Sequence, residues 1–381
     1  MEETIYYLDN AATTQMFADV FDNVSKYYLT KFYNPSSVYY KAVEVKKDLE
    51  SARKSILNCL GTSDGDLYFT GSATEANNMV VFSQRNLKGK KFLFGAGEHP
   101  SVLECAKELQ KKGYDVKYLP LTKDGIIDIE KYKEIISFGD IAFISVQHVS
   151  NETGAINPIS KLVKLARKYN REVLFHSDGV QAFGKLDLSV LDLDVDYYTI
   201  SAHKIYGPKG VGGLYVKNGV KINPIIFGGG QEFGVRSGTE NVFGIMAFKY
   251  CAERVAKDIK INHERVAQMR KSLLNEINAS GINFVVHGDG VPHTMNICFS
   301  KKVRGETLVH ALEKRNIFMS TGSACSSTKN YNVTLEAMGI SADEILSSVR
   351  ISFSPYMEFN AKIIAKVIVE ELKKLEDKSY E

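Results

Sequence analysis

The run Ile141-Ala142-Phe143-Ile144-Ser145-Val146 is apolar at nearly every position, so a strand made from it must be covered on both faces. Runs of the same kind recur at Leu67–Thr70, Phe92–Phe94, Val173–His176 and Tyr197–Ile200. Between them, apolar residues return at helical spacing: from about Ala73, through Val102, Ala106 and Leu109, and through Ile159, Leu162, Val163 and Ala166. Apolar strands alternating with helices predict an α/β protein with a mainly parallel sheet flanked by helices. After about residue 255 the pattern changes. A long charged amphipathic helix, roughly Lys257 to Ala279, leads into a mixed α+β stretch and a closing helix near Asn360 to Glu376. The expected division is a large domain over 16–257 and a smaller α+β domain over 258–381, the second beginning near 255–262.

Composition narrows the function classes. With 381 residues, 44% of them hydrophobic, the chain can bury a large core and needs no disulfide or metal staple. The formal charge of +3, from 48 Lys+Arg against 45 Asp+Glu, argues against nucleic acid as the main partner. No apolar stretch approaches the roughly 20 residues of a membrane helix. The start, Met1-Glu2-Glu3-Thr4, lacks the basic and apolar regions of a signal peptide. Five scattered cysteines without C-x-x-C spacing point to free thiols in a reducing compartment, the cytoplasm.

In open parallel sheets, ligands bind beyond the carboxyl ends of the strands. Polar clusters stand at five such expected ends: Gly71 to Glu75, Glu98-His99, Gln147 to Asn151, Asp178 to Gln181, and Ser201 to Lys204. Ser72-Ala73-Thr74-Glu75 fits a capping box, read either as a well-started helix or as a phosphate cradle using the N–H groups of Ala73 and Thr74. The P-loop pattern is absent, which disfavours a nucleotide. Lys204 precedes the turn Ile205-Tyr206-Gly207-Pro208-Lys209-Gly210, and a desolvated lysine held there can form a Schiff base with an aldehyde. Together with Asp178 as partner of a pyridine nitrogen, these residues describe a pyridoxal phosphate (PLP) pocket. Cys325 lies among small polar residues, Ser320 to Thr328, as an accessible thiol able to act as a nucleophile. Cys298 reads instead as a core strand residue, and Cys105 and Cys251 fall in helical patterns.

With these residues in place, the chain resembles the cysteine desulfurases of the class V aminotransferase group, in the branch of the NifS/IscS-like enzymes. The resemblance runs end to end, from Tyr7-Leu8-Asp9-Asn10-Ala11-Ala12-Thr13-Thr14 through Asn34-Pro35-Ser36-Ser37, Asn151-Glu152-Thr153-Gly154 and Asp178-Gly179-Val180-Gln181. It continues through Gly228 to Glu232, Arg236 to Asn241 and Gly322-Ser323-Ala324-Cys325. It implies PLP fold type I, with segment 1–15 joining the small domain. It further implies that Lys204 carries PLP and that His99 stacks on the ring and assists proton transfer. Asp178 would pair with the ring nitrogen and Gln181 with the phenolic oxygen. Ala73, Thr74, Ser201 and His203 would hold the phosphate. Thr239 would reach the neighbouring subunit's phosphate, implying a homodimer. Asn151, which also lies against the cofactor, and Arg350 would hold the carboxylate of L-cysteine. Three departures stand out: Phe233 for a frequent arginine, Ser150 for asparagine and Gly179 for alanine.

The implied reaction converts L-cysteine to L-alanine and leaves a persulfide on Cys325 for a sulfur acceptor, such as an iron–sulfur scaffold or a tRNA-thiolating enzyme. A selenocysteine lyase or another class V enzyme with an incidental Cys325 is the alternative. A non-catalytic scaffold is a third reading, disfavoured by Lys204, His99, Asp178 and Cys325 standing together.

Overall fold

The computed structural model describes residues 4–87, 90–322 and 332–378. Seven strands form the main sheet: β1 (Asp66–Thr70), β2 (Lys91–Gly95), β3 (Asp115–Leu119), β4 (Ile141–Ser145), β5 (Leu174–Asp178), β6 (Tyr197–Ser201) and β7 (Gly212–Val216). Their order is β1-β7-β6-β5-β4-β2-β3. The ladders β6–β5, β5–β4, β4–β2 and β2–β3 are parallel, whereas β7 runs antiparallel to both its neighbours. The sheet is therefore mainly parallel, as the apolar runs require.

Alternate side chains of each strand point to opposite faces, and the two faces meet different helices. Tyr68, Phe92, Phe94, Phe143 and Tyr197 pack with the helices Ala73–Ser83 and Pro100–Lys111. Leu67, Leu93, Ile144, Phe175 and Tyr198 pack with Tyr40–Cys59, Ile159–Tyr169 and Val242–Lys257. Cys105 and Cys251 lie in these helices, buried.

The charged helix begins at Ile259 rather than Lys257. Its predecessor Val242–Lys257 ends at Asp258, whose φ of −110° and ψ of 13° interrupt the helical path. A second core follows, built on the antiparallel strands β8 (Val285–His287), β9 (Thr294–Cys298) and β10 (Ser348–Ser352) in the order β10-β9-β8. Tyr6 and Leu8 from the amino terminus join this core with Val266, Ile297, Ile351 and Ile368. The pair Tyr6–Tyr7 runs parallel to Ile317–Phe318. Cys298 is buried in β9, and the closing helix spans Ala361–Lys378. Among the described residues no helix is long and apolar enough to cross a membrane.

One departure has a packing cause. A Cβ at Gly179 would lie 2.0 Å from Cζ of Tyr198, a fully buried ring whose hydroxyl is 2.8 Å from Nδ1 of His148. The tyrosine fills the space that an alanine methyl at 179 would need. Gly179→Ala should cost about 2 kcal/mol or more by overpacking. In a Tyr198→Val background the same substitution should cost measurably less, as a double-mutant cycle of denaturant unfolding will read.

Candidate active site

The carboxyl ends of β1, β2, β4, β5 and β6 open onto one cavity of about 410 Å³. Residues 72–74, 99–101, 147, 149, 151, 178, 180, 181, 203 and 204 contribute to its wall, with Asp9, Ala11 and Ala12 from the amino-terminal segment and Arg350 from β10. Nine expected site residues thus meet: Ala73, Thr74, His99, Asn151, Asp178, Gln181, His203, Lys204 and Arg350. Ser201 is buried at the end of β6. Thr239 lies elsewhere, in a separate hollow of about 90 Å³ with Arg236 and Glu240. Cys325 lies outside the described residues.

Lys204 follows β6 in a short 3₁₀ turn, closed where Ile205 and Gly207 N–H donate to Ala202 O. A Cβ at Gly207 would stand 2.9 Å from that of Ala202, so the turn demands glycine there. The ammonium donates to Ala11 O and Ala12 O, both at 2.6 Å. Burial first, and then the positive charge of Arg350, push the Lys204 pKa down to about 8 against the pull of Asp9, Asp178 and Glu152. A neutral amine, the form able to attack an aldehyde, is therefore accessible near neutrality.

Asp178 is held on both oxygens: Oδ1 accepts from Val180 N–H at 3.0 Å and Oδ2 from Asn77 Nδ2 at 2.8 Å. Gln181 Nε2 donates to Ala11 O at 3.0 Å, and Oε1 accepts from Lys185. Burial pushes the Lys185 pKa to about 7, helped by Lys204 and Arg350. The Ala11 carbonyl orients the Gln181 amide, because it can only accept and so takes the NH₂ side, leaving Oε1 to Lys185. His99 caps the helix Pro100–Lys111, its Nδ1 accepting from Ser101 N–H. Its ring is open to the cavity space although protein surrounds most of it, and this burial lowers its pKa. His203 is kept neutral, its pKa lowered to about 4 by burial and then by Lys204 and Lys209.

Half of the expected capping box forms: Ser72 is the N-cap, with Glu75 N–H donating to Ser72 Oγ at 3.1 Å. The Glu75 carboxylate accepts from Gly71 N–H and Arg236 instead of closing on the cap itself. The N–H groups of Ala73 and Thr74 stay available at the positive end of an eleven-residue helix. Close by in the chain fold, Ser201 Oγ is buried without a hydrogen-bond partner. An anion cradle, an orphaned hydroxyl, a depressed lysine and a fixed carboxylate fit PLP.

Sequence reasoning missed the carboxylates that govern Arg350. Its guanidinium reaches Asp9 Oδ1 at 3.0 Å and Glu152 Oε1 at 3.1 Å. Glu152, 1% exposed, also accepts from Asn151 Nδ2 at 2.6 Å and Asn332 Nδ2 at 2.7 Å. Ser150, the second departure, accepts at Oγ from the N–H groups of Glu152 and Thr153, shaping the turn that presents them. Phe233, the third, has a left-handed φ of 57° and is 68% exposed. The guanidinium of Arg53 lies 5.0 Å from its ring centre and is paired with Glu232 at 2.8 Å.

Residues 6–361 match the family described as aminotransferase class V. The chain is 35% identical over 357 residues to "Cysteine desulfurase IscS" of Dictyoglomus turgidum, covering 92% of this chain and 90% of that one. It is 37% identical over 358 residues to "Cysteine desulfurase IscS 1" of Archaeoglobus fulgidus, covering 92% of each. A solved "NIFS-LIKE PROTEIN" superposes with a TM-score of 0.88 at 31% identity, over 98% of this chain and 99% of that one. The structure described as "SspA in complex with cysteine" gives 0.81 at 30% identity, over 93% and 100%.

Two outcomes follow from the electrostatics. Capture of PLP by the cofactor-free protein should rise as pH passes through about 8, because Lys204 must be neutral to attack; stopped-flow absorbance measures it. Glu152→Gln leaves Arg350 one carboxylate fewer and turns a donor toward Asn332 or Arg350. It should lower stability by about 3 kcal/mol, read by urea unfolding. The chain belongs to the class V aminotransferase family and, within it, to the PLP-dependent cysteine desulfurases of the NifS/IscS kind.

Proposed function

We propose that this enzyme removes sulfur from free L-cysteine, releases L-alanine and holds the sulfur as a persulfide on Cys325 until an acceptor protein takes it. The observation that carries the reading is the convergence of Lys204, Asp178, His99 and Arg350 on one cavity. Lys204 would hold PLP, with Ala73, Thr74, Ser201 and His203 on the phosphate, Asp178 at the pyridine nitrogen and Gln181 at the phenolic oxygen. When bound, PLP supplies an electron sink for charge developing at the substrate Cα.

The chain's own residues do the rest. Arg350 and Asn151 hold the substrate carboxylate, a guanidinium matching it bidentately. Lys204 Nζ, its pKa already lowered, removes the Cα proton near neutral pH. The Cys325 thiolate attacks the substrate sulfur; an S–S bond forms, the Cβ–S bond breaks, and its electron pair stays with the three-carbon fragment that takes up protons and leaves as alanine.

A second copy of the chain completes this reading. Thr239 stands away from its own chain's cavity. Apolar side chains are exposed at Phe32 (64%), Val38 (96%), Tyr40 (70%) and Phe227 (75%), each suited to burial in a homodimer. The two hydrophobic cores support division into 16–257 and 258–381, with 1–15 joining the smaller unit. The acceptor is an iron–sulfur scaffold or tRNA-thiolating protein. Free thiols at Cys59, Cys105, Cys251 and Cys298 support a reducing, cytoplasmic setting.

Cys325→Ser tests the assignment. The variant should keep PLP absorbance yet form neither alanine nor protein-bound persulfide from cysteine. Undiminished alanine release would favour a lyase in which Cys325 takes no part.

A further inference from the structure

Asp178, Asn77, Ser101 and His99 form one continuous hydrogen-bonded chain, in which Asn77 alone stands behind the cavity wall. Asn77 Nδ2 lies 2.8 Å from Asp178 Oδ2 and 2.8 Å from Ser101 Oγ. Ser101 Oγ lies 2.8 Å from His99 Nδ1, and Ser101 N–H reaches the same nitrogen at 3.1 Å. Asn77 is fully buried and Ser101 nearly so. Neither residue enters the reaction described above.

The proton positions follow from donor and acceptor capacity. A carboxylate only accepts, so Asn77 must turn its NH₂ toward Asp178. Its two protons then go to Asp178 and to Ser101 Oγ. Ser101 N–H already donates to His99 Nδ1, so that nitrogen must be an acceptor, and the serine hydroxyl, accepting from Asn77, turns its one proton to it. That nitrogen therefore accepts from a hydroxyl and a backbone N–H and carries no proton. Burial keeps the ring neutral. The charged groups acting on it are Asp178 and Glu152, which favour protonation, and Lys204 and Arg350, which oppose it.

The geometry points to Asn77 and Ser101 as positioning residues that lock His99 in its Nε2–H tautomer, making it a hydrogen donor in the cavity and leaving base work to Lys204. The inference deepens the functional reading and rests on His99 facing the cofactor and substrate there. One buried amide thus orients both the Asp178 carboxylate and, through Ser101, the imidazole. A histidine whose Nδ1 is free could serve as base through that atom. Here the helix start occupies it.

The test is ¹⁵N NMR of histidine-labelled protein, PLP-free and PLP-loaded, with His99 assigned by its loss in His99→Gln. Wild type should show Nδ1 unprotonated and Nε2 protonated in both forms. Ser101→Ala should populate both tautomers, because one of two donors to Nδ1 is gone. The proton affinity of His99 should rise about tenfold, the worth of one hydrogen bond. Turnover should fall by a similar factor with KM for cysteine little changed, and Ser101→Thr, which restores a hydroxyl, should restore the wild-type spectrum. Should Ser101→Ala fail to fold, Ser101→Gly removes the same hydroxyl and carries the same expectation. A proton on Nδ1 in wild type, or an unchanged tautomer in the folded Ser101→Ala or Ser101→Gly protein, would overturn the assignment. Because the PLP-free spectrum needs no turnover, a correct tautomer in an enzyme inactive on cysteine would sink the functional reading and leave this one standing.

Discussion

The guanidinium of Arg350 is the tie on which the site depends. It sits on β10 of the second core, yet its partners come from elsewhere: Asp9 on the amino-terminal segment and Glu152 on the loop after β4. Glu152 in turn takes Asn332, the first described residue beyond the Cys325 segment. A buried cation is costly unless its charge is met. Two carboxylates meet it here, and in doing so they bring three distant parts of the chain to one cavity. The same cation helps depress Lys204. Neutralisation of the buried arginine and the lowering of the lysine pKa therefore share one network.

The parallel sheet supplies the frame for that network. Strands buried on both faces have their polar residues pushed to their ends, where backbone groups can still be met by ligand or side chain. Asp178 and Ser201 are each the last residue of a strand. The amino-terminal segment closes the floor, since Ala11 O and Ala12 O receive Lys204 and Ala11 O also receives Gln181. Residues near the beginning of the chain thus set the position of the lysine nearly two hundred residues later.

Local departures from the family pattern are absorbed by neighbours. Gly179 leaves room for Tyr198, Ser150 caps the turn carrying Asn151 and Glu152, and Phe233 lies against an arginine already paired with Glu232. None of the three residues itself lines the cavity.

Much of this was legible in one dimension. Continuous apolar runs announce buried strands, and clustered polar residues at their ends announce a ligand site, because burial leaves them few other places. Lys204, His99, Asp178 and Thr74 were readable for that reason. Strand order was not, since the run Gly212–Val216 has the same pattern whichever way it points, and only the ladders show it reversed. Nor were the partners of Arg350 readable: separations of 341 and 198 residues leave no local trace. Asn77 shows the limit most plainly. Within a helix it reads as an ordinary polar residue, and only the fold sets its amide between a carboxylate and a serine, where hydrogen-bond capacity fixes which nitrogen of His99 holds the proton. Periodicity reports which side of an element is buried; which groups then meet depends on chain crossings that no local pattern encodes.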